Sequence, residues 1–165
     1  MRKELLLCII PLFLVIDIAA QCPNESITLS TQEDIDNFTL NYPNCTALLT
    51  NLHIEESSSG EISNLTGRNQ ITSINDSLII NSNSALTSLS GLENLSQIGN
   101  ALIIRTNDAL STLENLENLS QIGGALSIIN NDQLINLHGL EQIENIAGAL
   151  TISNNNLITN LMGLP

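Results

Sequence analysis

The sequence predicts a mainly β fold, a solenoid of 24-residue units with a short helix at its N-terminal side. Three observations carry this. The phrase Ile98-Gly99-Asn100-Ala101-Leu102-Ile103-Ile104 returns at Ile122 to Ile128 and Ile146 to Ile152, and an earlier version stands at Ile74 to Ile80. Seven apolar columns keep their spacing through these copies with no insertion. The residues between the columns are Thr, Ser, Asn and Gly, which favour turns over helix interiors. A fixed period in this range is the signature of stacked repeats.

Within one unit the spacing selects the local structure. Leu78-x-Ile80, Leu102-x-Ile104, Leu126-x-Ile128 and Leu150-x-Ile152 alternate with period two, so each is a short strand with both residues on one face. Further on, leucines recur every three residues, as in Leu86, Leu89, Leu92 and Leu95. That is neither a strand period nor a helical stripe, and strand pieces joined by tight turns are expected. A single unit buries too little apolar surface to offset its ordering entropy, so neighbouring units must stack. Asn83, Asn107, Asn131 and Asn155 share one repeat position. They read as a ladder at the turn after the strand, because Asn tolerates the left-handed conformation and bonds its own backbone there.

Residues 1–20 have the pattern of a secretory leader: Arg2 and Lys3, an apolar run from Leu5 to Ile16, then Ala19-Ala20. Removing it leaves Cys22 and Cys45, and two cysteines in an exported domain are expected to pair. Residues 21–50 form the expected N-terminal cap. Ser30, with Glu33 three residues on, makes a capping-box pattern, and Ile35 and Phe38 give the short helix one apolar face. The repeats are expected over 51–165. Their first copy is degenerate: it has a two-residue excess between Glu55 and Gly60, and Arg68 occupies a leucine position, snorkelling or marking a distorted corner. The last copy stops at Leu164-Pro165 as an uncapped or truncated end, open to end-to-end association.

Net charge is −13, and past residue 20 only Arg68 and Arg105 oppose 15 acids. That balance argues against nucleic acid and anionic membrane partners. Nothing resembles a cofactor or metal motif. His53 and His138 stand several repeats apart. Glu93, Glu114, Glu117 and Glu141 line one edge, but exposed carboxylates lack the burial that raises a pKa for general acid work. Asn-x-Ser/Thr occurs at Asn24, Asn37, Asn44, Asn64, Asn75, Asn94 and Asn118. These are glycan acceptors in a eukaryotic host and a by-product of Asn- and Ser-rich repeats in a bacterial one.

Strand alternation points Ile79, Ile103, Ser127 and Thr151 outward, beside a second column of Asn81, Arg105, Ile129 and Ser153. Small residues flank them, so the face is flat and partly apolar. It reads either as a contact surface or as ordinary β propensity.

The opening Cys22-Pro23, the stretch Thr31 to Phe38, Tyr42-Pro43-Asn44-Cys45 and the phrase Gly91-Leu92-Glu93-Asn94-Leu95-Ser96-Gln97-Ile98-Gly99 resemble the receptor L-domain family. The resemblance spans about residues 22–165. It implies a right-handed parallel β-helix of leucine-rich-repeat-like coils, closed by a helix and a disulfide. The leader and the bare repeat are similar to those of secreted bacterial members. The expected function is a non-catalytic exported binding or adhesion module, secreted or at the cell surface, whose flat face contacts protein or glycan. A structural spacer in an envelope or matrix is the second expectation. A polysaccharide-active enzyme is the third.

Overall fold

The computed structural model describes residues 22–67 and 69–165; the leader expected at 1–20 and the corner residue Arg68 lie outside the described residues. The chain is mainly β, with two parallel sheets and one helix longer than a single turn among the described residues. The larger sheet takes β1 (Ile27–Leu29), β3 (Leu52–Ile54), β5 (Leu78–Asn81), β7 (Leu102–Arg105), β9 (Leu126–Ile129) and β11 (Leu150–Ser153), in that spatial order. The smaller one takes β2 (Ala47–Leu48), β4 (Ser73–Ile74), β6 (Gln97–Ile98), β8 (Gln121–Ile122) and β10 (Asn145–Ile146), also in sequence order. Odd and even strands alternate along the chain, so each repeat visits both sheets. This arrangement is compatible with a parallel β solenoid.

Register follows the apolar columns. Leu78, Leu102, Leu126 and Leu150 are Cα partners in series, as are Ile80, Ile104, Ile128 and Ile152. In the smaller sheet Ile74, Ile98, Ile122 and Ile146 line up in the same way. Like therefore stacks on like, and the inward side chains of the middle repeats are fully buried. Burial weakens in the last repeat, where Leu150 and Leu161 are about half exposed, at 48% and 57%.

The three-residue leucine spacing has a direct backbone cause. The N–H of Leu92 bonds the carbonyl of Leu89 and that of Leu95 bonds Leu92, at 3.1 and 3.0 Å. The next repeat does the same, with Leu116 on Leu113 and Leu119 on Leu116. These leucines each close a turn on the leucine before, while Leu86 and Leu110 close on Asn83 and Asn107, and three-residue turns return the side chains of these repeats to the interior. At Glu114–Leu116 these turns tighten into a short 3-10 helix. Gly91 and Gly139, one repeat to either side of Asn115, instead take positive φ of 114° and 106°.

At the N-terminal side the helix α1 (Gln32–Asn41) buries Ile35 and Phe38 against the core beside β1. Its cap lies one residue later than the sequence pattern suggested. Thr31, not Ser30, is the N-cap, and Asp34, not Glu33, completes the capping box. Asp34 wins because its short carboxylate accepts the backbone N–H groups of both Ser30 and Thr31, at 2.9 and 3.0 Å. Cys22 and Cys45 are joined by a disulfide, which ties the start of the described chain to the residues just before β2. Strand β1, between Cys22 and the helix, was not anticipated; it extends the larger sheet by pairing Ile27 with Leu52. The two-residue excess is real. Leu52 pairs with Leu78, 26 positions on, whereas later partners are 24 apart.

Candidate functional site

The outward face of the larger sheet is built by pleating. With Leu and Ile at alternate positions turned inward, Ile79, Ile103, Ser127 and Thr151 are left in one outward register column. His53 and Thr28 extend it toward the helix. The second column runs Asn81, Arg105, Ile129 and Ser153. Ile79, Ile103, Ser127, Ile129 and Ser153 are half-buried, while Arg105 and Thr151 are exposed. Asn81 departs from the expected open surface: it is only 6% exposed. Its Nδ2 donates to Glu55 Oε1 at 2.5 Å, and its Oδ1 accepts from Arg105 Nε at 2.8 Å. A carboxylate just after β3, an amide on β5 and a guanidinium on β7 thus form a line across three adjacent repeats. The sequence singled out Asn81 and Arg105 but missed Glu55, because the two-residue excess hid its alignment with them.

Beside this face runs the asparagine ladder. Asn83, Asn107 and Asn131 are fully buried and Asn155 nearly so. The Oδ1 of Asn107 accepts from the backbone N–H and the Nδ2 of Asn83; Asn131 does the same for Asn107, and Asn155 for Asn131. Each Nδ2 also donates to a main-chain carbonyl of the preceding strand: Ile54, Ile80, Ile104 and Ile128. The side chains therefore satisfy backbone groups of neighbouring repeats, rather than only their own turn. Nor are these the left-handed residues. Positive φ falls one position earlier, at Ser82, Thr106, Asn130 and Asn154, with values of 55–57°.

The ladder's first rung is Glu56. Its N–H donates to Asn83 Oδ1 at 3.1 Å. Its carboxylate gathers the N–H groups of Gly60, Glu61, Ile62 and Ser84 and the Ser84 hydroxyl, at 2.7–3.3 Å. Partial burial works to raise the Glu56 pKa, but the hydrogen bonds from Ser84, Gly60 and Ile62 outweigh it and hold it below the ordinary value of 4.5. This role was not legible in the sequence, since no other repeat carries a matching loop.

The acidic edge is also put to structural use. Glu93 takes the Gly91 N–H on both carboxylate oxygens at 2.9 Å, and Glu141 takes that of Gly139 at 2.7 Å. For Glu93, burial works upward, yet the N–H groups of Gly91 and Glu93 and the Ser90 and Asn115 side chains leave its pKa lowered. For Glu141 the hydrogen bond to His138 is the largest cause, and again the pKa is lowered. His138 meets Glu141 at 2.6 Å in this turn, whereas His53 sits on the larger sheet. Among the described residues no cluster of His, Cys, Asp and Glu is suited to a metal ion, and no helix is long and apolar enough to cross a membrane.

The fold and face define a mainly β protein of parallel strands with one partly apolar outward sheet surface. No protein-family model matches the chain, and neither a curated protein nor a solved structure is significantly similar to it.

Proposed function

We propose that this protein is a non-catalytic, exported binding or adhesion module of receptor L-domain type, a right-handed parallel β-helix of 24-residue coils. It works at the cell surface or outside the cell, and its flat sheet meets a protein or glycan partner. The observation that carries the reading is the pair of outward columns, which set Ile79, Ile103 and Ile129 around Arg105 on one continuous sheet. Half-buried aliphatic side chains around an exposed guanidinium make a surface that gains from being covered. The disulfide and the leader pattern support export. The lowered carboxyls of Glu93 and Glu141 support a non-catalytic role, because a glycoside-cleaving pair needs one raised.

The test is the double substitution Ile103→Glu with Arg105→Glu. Both side chains face outward, so the circular dichroism spectrum stays unchanged while saturable binding to cell-surface material is lost. Retained binding removes this face from consideration. A structural spacer in an envelope or matrix is the second reading. A spacer would recover nothing saturable in the same assay.

A further inference from the structure

We infer that Arg105 receives a carboxylate from a protein partner, and that Asn81 holds its guanidinium in place for that purpose. The inference rests on the sheet face being the contact surface and names the chemistry that the face accepts.

Charge comes first. Among the described residues Arg105 is the only Lys or Arg side chain, in a chain of net charge −13. In so acidic a chain an internal carboxylate is the expected partner for a lone cation. Arg105 is instead tied through Nε to the neutral amide of Asn81 at 2.8 Å, and Oε1 of Glu55 accepts from the other end of the same amide rather than from Arg105. Its charge is left uncompensated on the outer surface, and among the described residues no partner engages its two terminal nitrogens. Asn81 is nearly buried, so the tether is fixed by the sheet rather than by a mobile side chain.

The geometry favours a planar acceptor. With Nε held, the rest of the guanidinium presents paired N–H groups, which match the two oxygens of a carboxylate. Holding the side chain beforehand reduces the entropy lost on binding. Ile103 on the same strand and Ile129, in register with Arg105 on the next, add an apolar flank. The complementary group is therefore an acidic residue beside an aliphatic or aromatic one. A sugar acid fits less well. Sugar rings dock their C–H faces on aromatic rings, whereas the described aromatics, Phe38 and Tyr42, lie in and just after the helix, away from this face.

The experiment prints matched blocked octapeptides that alternate leucine with aspartate, asparagine or lysine, together with uronate- and sialate-bearing glycans. The intact disulfide-bonded protein is applied. The aspartate peptide is expected to bind about tenfold more tightly than its asparagine isostere, the value of one charge-assisted hydrogen-bonded pair. Arg105→Gln abolishes that preference. Arg105→Lys fails to restore it, because an ammonium lacks the fork. Asn81→Ala reduces it while Arg105 remains. Equal binding of aspartate and asparagine peptides, binding only to the acidic glycans, or no bound peptide at all overturns the inference. Should Ile103→Glu abolish peptide binding while Arg105→Gln does not, the face stands as the contact surface and the carboxylate assignment falls.

Discussion

Asn131 shows how much one side chain does in this protein. It accepts from the backbone and side chain of Asn107 and donates to the carbonyls of Ile104 and Ile129, all in the interior or at its rim. Asn131→Leu keeps the branched outline, with a larger side chain, but leaves these groups without partners. The orphaned Asn107 N–H alone costs about 1–3 kcal/mol, so the urea midpoint should fall well below that of the parent. Asn155→Leu likewise orphans the buried N–H and Nδ2 of Asn131 and should cost a similar amount. Thr106 is the opposite case. It holds a β-branched side chain at φ 55°, where the equivalent positions in the next two repeats carry Asn130 and Asn154. Thr106→Asn should raise stability by about 0.5–1 kcal/mol, visible as a higher thermal midpoint. An unchanged midpoint would mean that the strain is absent.

At the scale of elements, the loop after β3 is organised by a single carboxylate. Glu56 has a depressed pKa, so its contribution is fully present above the ordinary value of 4.5 and is lost as pH falls through the lower folded value. Thermal midpoints taken downward from pH 5 should therefore drop in the parent. In Glu56→Gln they should start lower and drop less, with Glu93 and Glu141 supplying the remaining slope. A slope unaltered by the substitution would place the acid sensitivity elsewhere. The strands were legible because Leu-x-Ile fixes both period and facing. The turns were legible as turns, but not the N–H to carbonyl bond between successive leucines that sets their spacing. Strand β1 escaped because three residues, Ile27–Leu29, carry no periodic signal of their own; its existence depends on Leu52–Ile54 offering an edge. The cap position slipped by one because Ser30 and Thr31 are chemically alike, and only the reach of Asp34 separates them.

For the whole molecule, stability is the sum of contacts between neighbouring repeats, with few links between distant ones. Each strand of the larger sheet is bonded on two sides, except the two at its edges, β1 and β11. The N-terminal edge is braced by α1 and the disulfide. At the other side Leu150 and Leu161 are half exposed. Native-state hydrogen exchange should therefore be slowest in β5 and β7 and fastest in β11, falling in order through β9. Uniform protection across these strands would show that the molecule opens as one unit and would contradict a nearest-neighbour description. The candidate face was partly readable on the same grounds. Alternation placed Ile79, Ile103, Arg105 and Ile129 on one side, but the burial of Asn81 between Glu55 and Arg105 needed three repeats in register to appear.

Because Leu78, Leu102, Leu126 and Leu150 succeed one another at a constant interval, the backbone is interchangeable from one rung to the next. Excising residues 102–125 would splice Ala101 to Leu126 and leave the inward pairs matched, Leu78 facing Leu126 and Ile80 facing Ile128. A gene of this design can lengthen or shorten by unequal crossing-over in whole multiples of the unit, whereas one or two extra codons are accommodated only where a loop absorbs them, as after β3, and inside a strand they would break its register.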